Sequence, residues 1–343
     1  MRENALFVIN FLYEVSLWLI VKKLSDLGER KAIQLISDIL SKGDEAVGIG
    51  DDCAAFQFED DFLLVSTDMI SEKTHIPKIM TPWQMGWFVV AINVSDIAAK
   101  GGRPFGFVLS LGLPRGTTDS FLKEMMNGAE SCASHYVFSI VGGDTKENPN
   151  ITLCGTVFGI VKKEGFMPRK GCKPGDIVAV TGELGKAGAG YYAMQHNILD
   201  EQILKGLLEP VPRVDEGIAL AGERIVTSCM DISDGLSSSL YQLMKLNNVG
   251  FEIDKEKIPL SSSLHKLSKT KDLDVYEYAL QFGGDYELLL TVPPEKFEKA
   301  SFSVNCIGGT ITEIGRVIRG KNVKLVENGI KKTLQNNGYE HFK

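Results

Sequence analysis

The chain has 343 residues, 44% of them hydrophobic and 24% charged, so it is globular and too long for one ordinary core; two domains are the default. Lys and Arg number 37 against 44 Asp and Glu, a net charge of −7, which argues against a nucleic-acid partner because nothing would release counterions from a phosphate backbone. The 6 cysteines are scattered without a C-x-x-C pair, which argues against a zinc site or disulfide framework and for reduced thiols in the cytoplasm.

Ala5 to Val21 is mostly apolar, but Asn10, Glu14 and Ser16 interrupt it. A membrane span needs ~20 apolar residues, and no small-residue cleavage site follows, so residues 1–21 read as an extra helix or as a start assigned too early. Ser25–Glu29 is a helix entry, after which Ile33, Ile36, Ile39 and Leu40 repeat at helical spacing. Gly48-Ile49-Gly50-Asp51-Asp52 then sets two adjacent carboxylates behind a glycine turn. Phe62–Ser66 is a buried-strand pattern that delivers Thr67-Asp68 at its end. Thr81 as N-cap and Pro82 in the first turn open a helix that stops at Gly101-Gly102. Asp96 falls in its last two turns, where the dipole disfavours an anion, so a compensating cation is expected.

Phe105–Leu113 is strand-like, Phe121–Ser134 helical, and Val137–Val141 a strand followed by Gly142-Gly143-Asp144-Thr145. Ile151–Val161 is a further β run. Arg169–Asp176 is a turn-rich boundary before a new strand at Ile177–Thr181. The glycines at 182, 185, 188 and 190 fit neither a P-loop nor G-x-G-x-x-G; they admit phosphate contact or plain tight packing. Asp231-Ile232-Ser233-Asp234 and Gly283-Gly284-Asp285-Tyr286-Glu287 follow, then a Gly338-Tyr339 tail.

Asp thus recurs beside Ser, Thr or Gly at the ends of apolar runs, which is oxygen-ligand chemistry for Mg²⁺ and, with it, phosphate chemistry. Two phosphate dianions ~4 Å apart repel by roughly 16 kcal/mol at an effective dielectric of ~20. One lysine does not cancel that, whereas several divalent ions do, so the pattern suits multi-metal phosphoryl transfer.

The ordered stretches Gly48–Ala54, Val65–Met69, Asn93–Gly102, Val141–Thr145, Arg169–Asp176, Asp231–Leu236 and Gly283–Leu289 together resemble the thiamine-monophosphate kinase family, of the aminoimidazole-ribonucleotide-synthetase-like superfamily. The resemblance runs from about Leu24 to Phe342. It implies an α/β (α+β) fold: an N-terminal mixed sheet with helices on one side, residues 22–167, for ATP, Mg²⁺ and dimerisation. A C-terminal α/β domain, residues 168–343, would complete the substrate site, and residues 1–21 would be an extension. The implied activity is ATP-dependent phosphorylation of thiamine monophosphate by direct in-line transfer, in a homodimer whose N-terminal domains pair. By match to the motifs, Asp51, Ser66, Thr67, Asp68, Asp96, Asp144, Asp231 and Asp234 would be Mg²⁺ ligands. Gly143, Asp144, Arg169 and Ser233 would contact ATP, and His75 and Tyr339 the substrate. No side chain is assigned as a general base. Gly284 stands where the family usually has a substrate-contacting Glu, so Asp285 or Glu287 is expected to serve instead. A ring-closing synthetase of the same superfamily and a non-catalytic nucleotide-binding regulator are the competing readings.

Overall fold

The computed structural model describes residues 23–342, so the expectations for residues 1–21 lie outside the described residues. Among the described residues two units are distinct, residues 23–42 with 340–342, and residues 43–339. In the first, α1 (Leu24–Leu27) and α2 (Glu29–Ile39) meet at Gly28, and the His341 amide donates to Glu29 Oε2 at 3.1 Å. The helical spacing of Ile33, Ile36 and Ile39 is realised in α2, with all three exposed. Among the described residues no helix is long and apolar enough to cross a membrane.

The second unit begins with β1 (Ala54–Phe58), β2 (Asp61–Ser71), α3 (Pro82–Ala99), β3 (Arg103–Leu113), α4 (Asp119–His135), β4 (Ser139–Glu147) and β5 (Thr152–Lys162). Their strands form one sheet in the order β1-β2-β5-β3-β4, antiparallel except for the parallel pair β3–β4. Burial alternates along β5, as expected of a sheet covered on one face. That face packs against α3 and α4.

Helix α3 is the centre of this unit. Thr81 caps it by accepting from the Gln84 amide, the Gln84 side chain returns the bond, and Pro82 occupies the first turn. From Met85 to Ala99 it is buried apart from Trp87 and Asp96, and such an all-round apolar helix needs partners on every side. It crosses α4 through two glycines. A Cβ on Gly86 would stand 1.8 Å from the Met125 carbonyl oxygen, and one on Gly128 1.8 Å from that of Trp83. Gly128→Ala is therefore expected to destabilise by about 1–3 kcal/mol through overpacking against backbone, read as a lower urea midpoint. An unchanged midpoint would mean the helices separate freely.

Then come β6 (Ile177–Thr181), α5 (Lys186–Gln195), α6 (Glu201–Leu208), α7 (Val214–Glu223), β7 (Ser228–Asp231), α8 (Leu236–Asn247), β8 (Gly250–Asp254), α9 (Ser262–Ser268), α10 (Val275–Gln281), β9 (Leu288–Val292), α11 (Phe297–Cys306), β10 (Ile311–Ile318), β11 (Val323–Glu327) and β12 (Ile330–Thr333). The second sheet runs β12-β11-β8-β10-β6-β9-β7. Strands β6, β7 and β9 are buried at every residue, so apolar cores lie on both faces.

Two strand boundaries differ from the sequence reading. Thr67-Asp68 and Gly143-Asp144 lie within strands, because β2 runs on to Ser71 and β4 to Glu147. Sequence reads a Gly-Gly-Asp as a stop. Here Gly143 lets β4 lie close on β3, where a Cβ would meet the Leu109 carbonyl oxygen at 1.9 Å.

Candidate active site

Four chain segments deliver carboxylates to one place. Asp51 and Asp52 come from the glycine turn, Asp68 from β2, Asp96 from α3 and Asp231 from the end of β7. One oxygen from each of Asp52, Asp96 and Asp231 lies within 4.8 Å of the others. Buried and half-buried polar residues hold them there. Ser66 donates to Asp96 Oδ2 at 2.5 Å and Ser95 to Asp231 Oδ2 at 2.7 Å. Asn93, fully buried, accepts from the Asp68 amide at 2.8 Å and donates to the Val89 carbonyl, which ties β2 to α3.

The electrostatics divide the group. Burial raises the Asp96 carboxyl well above the usual range, and Asp68, Asp231 and Asp52 add to it. Burial, then Asp52, pushes Asp231 up to about 7. For Asp52 burial also acts upward, but Arg169 and Lys100 outweigh it and hold the carboxyl low. Arg169 donates to Asp52 Oδ1 through Nε at 2.7 Å and through Nη2. Lys100, wholly buried, places Nζ 2.6 Å from Asp51 Oδ1 and 2.7 Å from Asp52 Oδ2. The cation expected for Asp96 is thus spent on Asp51 and Asp52. Burial, Asp96 and Asp52 keep the Cys53 thiol protonated, so it is no nucleophile.

This donor set fits Mg²⁺. The converging atoms are carboxylate oxygens, with the Ser66 hydroxyl beside Asp96, and that is the oxygen-only chemistry a hard divalent ion takes.

The remaining sequence candidates fall around it. Asp234 and Ser233 form the turn after β7, and the Tyr339 amide donates to the Asp234 carbonyl at 3.1 Å, so the tail lies beside that turn. His75 Nδ1 lies 2.7 Å from the Thr74 hydroxyl in the turn after β2. Thr67 donates to the Gly155 carbonyl. Gly143 and Asp144 stand on exposed β4, with Asp144 3.4 Å from Lys146.

Asp285 and Glu287 are committed to protein groups. Asp285 accepts from the Gly185 amide at 2.6 Å and the Ala187 amide at 3.0 Å, so an internal carboxylate caps the glycine-rich entry to α5. Burial pushes it up to about 6 against the pull of those amides. Asp285→Ala would leave two buried N–H groups unpaired, about 1–3 kcal/mol each, so a loss of stability is the expected result in urea unfolding. A rise in KM for the phosphoryl acceptor with stability intact would restore Asp285 to the substrate side. Gly284 has φ +96°, so a Glu there would be strained.

Sequence reasoning assigned Asp51 and passed over Asp52, the one that meets Asp96 and Asp231, along with Lys100, Asn93, Ser95 and Tyr286. Tyr286 is buried at φ 51°, and burial, Asp68 and Asp231 raise its hydroxyl well above the usual range. A signal for Lys100 was present: adjacent Asp51 and Asp52 need a cation, and a Lys closes the Asp96 helix.

Two layered sheets with acidic residues gathered at their junction define the chain as a two-domain AIR synthase related protein. The N-terminal domain family of that class matches residues 50–161 and the C-terminal domain family residues 173–328. A thiamine-monophosphate kinase of Pyrococcus horikoshii is 36% identical over 296 residues, covering 86% of this chain and 91% of the relative. One of Methanospirillum hungatei is 39% identical over 294 residues, covering 85% and 92%. The solved structure of AaThiL complexed with AMPPCP and TMP superposes with a TM-score of 0.84 at 30% identity, covering 94% of this chain and 99% of that one. The chain belongs to the thiamine-monophosphate kinase family.

Proposed function

We propose that this enzyme transfers a phosphoryl group from ATP to thiamine monophosphate, giving thiamine diphosphate. The observation that carries the reading is the convergence of the Asp96 and Asp231 oxygens, each held by a serine, beside the Asp52 that Lys100 and Arg169 neutralise. The relatives' name and the AMPPCP and TMP of the AaThiL complex support the substrates.

Asp68, Asp96, Asp231 and Asp234, with Ser66 and Thr67, would hold Mg²⁺, and Asp144 would join them from β4; Asp51, matched to the metal set by sequence, is paired with Lys100. When bound, Mg²⁺ supplies the positive charge that lets two phosphates approach. The chain's own residues keep the ligands aimed: Ser66 and Ser95 orient Asp96 and Asp231, and Asn93 fixes the backbone of Asp68. No base is needed, since a phosphate monoester is mostly ionised near neutral pH. Gly143, Arg169 and Ser233 are assigned to the nucleotide, and His75 and Tyr339 to the thiamine substrate.

The reading includes a homodimer. The first sheet leaves Phe56, Phe58, Met69, Phe105 and Val141 exposed, 68% in the case of Val141, and its edge strand β4 is open to solvent. An apolar patch of that kind fits a second copy of the chain. Gly143 and Asp144 lie on β4, so pairing there would bring the nucleotide residues to the interface.

The test is ADP release with thiamine monophosphate or aminoimidazole ribonucleotide precursors, with Mg²⁺ or chelator, beside sedimentation of the protein. Turnover with thiamine monophosphate and Mg²⁺ alone is expected. Turnover only with the purine precursors would make the protein a ring-closing synthetase; nucleotide binding without turnover would make it a regulator.

A further inference from the structure

Lys100 closes α3 four residues after Asp96, so the two lie on one helix face with opposite charge. Its ammonium has three N–H donors and meets three oxygens: Asp51 Oδ1 at 2.6 Å, Asp52 Oδ2 at 2.7 Å and the Cys229 carbonyl at 2.9 Å. Two carboxylates and a carbonyl are also the shell that a hard divalent cation takes. The helix C-terminus favours positive charge at that point. Asp51 also accepts two backbone amides, that of Asp52 on Oδ1 and that of Arg169 on Oδ2.

The charges therefore fall into two groups. Asp51 and Asp52 are matched by Lys100 and Arg169. Asp96 and Asp231 accept from the serine hydroxyls of Ser66 and Ser95, and among the described residues no Lys or Arg forms an ion pair with either.

We propose that Lys100 is a positioning residue whose ammonium takes the place of one divalent cation at Asp51 and Asp52, confining bound metal to the Asp96 and Asp231 side. The inference rests on the metal-assisted reading of the site given above. It makes Asp51 a partner of Lys100 and not a metal ligand. Lysine here fixes one positive charge permanently, so the site needs one fewer ion from solution.

The experiment counts Mn²⁺ bound per chain, from the free-Mn²⁺ electron paramagnetic resonance signal, on chelator-treated full-length protein. Three proteins are compared: wild type, Lys100→Met and Asp51→Asn. Lys100→Met is expected to bind one more Mn²⁺ per chain than wild type, and to recover with Mn²⁺ most of the melting temperature it loses without it. Asp51→Asn is expected to bind the same number as wild type. An unchanged count in Lys100→Met, with a melting loss that Mn²⁺ does not restore, would reduce Lys100 to a structural residue and overturn the inference alone. If Lys100→Met does not fold, Asp51→Asn decides: a count lower by one overturns the inference, and an equal count supports it. A wild type that binds no Mn²⁺ overturns the metal-assisted reading and this inference with it.

Discussion

Asp231→Asn should cut kcat by roughly a thousandfold or more and, in chelator-treated protein, raise the melting temperature. The first effect follows because a neutral amide replaces a charged ligand oxygen at the point where the three elements meet; three decades correspond to about 4 kcal/mol of transition-state stabilisation. The second follows from burial beside Asp52 and Asp68, which makes the ionised carboxylate costly without metal. The carboxyl is raised from 3.8 to about 7, so it holds its proton in the folded state over a range where the unfolded chain has lost it. Below the unfolded value it is neutral in both states and costs nothing; as pH rises to the folded value the penalty grows, and above it the penalty is constant. The melting advantage of Asn should therefore be absent near pH 3, grow through pH 4–7 and level off beyond. ADP release and a thermal melt series measure both effects. Activity within tenfold of wild type, or no stabilisation at pH 8, would remove Asp231 from the centre of the site.

The second large effect is expected at Glu287, which is fully buried and accepts from Thr181 Oγ1, Lys186 Nζ and Arg213 Nε and Nη2 at 2.6–2.9 Å. Glu287→Ala removes the shared partner of two cations, and breaking a buried pair in this way costs about 3–5 kcal/mol. Urea unfolding should report that loss, while KM for thiamine monophosphate in the folded fraction stays within about threefold. A tenfold rise in KM at unchanged stability would instead put Glu287 on the substrate.

Local signals carried much of the fold. The run of Phe62–Ser66, the cap at Thr81 and the proline after it are all short-range chemistry, and β2 and α3 stand where they point. The motif register placed the chain in its family and named most of the carboxylates now found together. What it did not convey was their pairing. Lys100 reaches Asp51 across 49 residues and Ser95 reaches Asp231 across 136, separations that only the packed topology closes. The same limit explains Asp285 and Glu287. Alternation along a strand says that both face one way, but not that a helix entry and two cations already wait there. Gly284 was legible as a departure from the family, while its positive φ was not.

Helix α3 also bears on how the chain comes off the ribosome. Its Ser95 and Lys100 are completed by Asp231 and the Cys229 carbonyl, which are made after the whole first sheet. At ~5–20 residues per second, the 136 positions between Ser95 and Asp231 take roughly 7 to 30 s to synthesise. Through that interval a helix that is apolar on nearly every side lacks the cover that β7 and α7 supply, so the nascent first half carries an open apolar strip until the second sheet emerges.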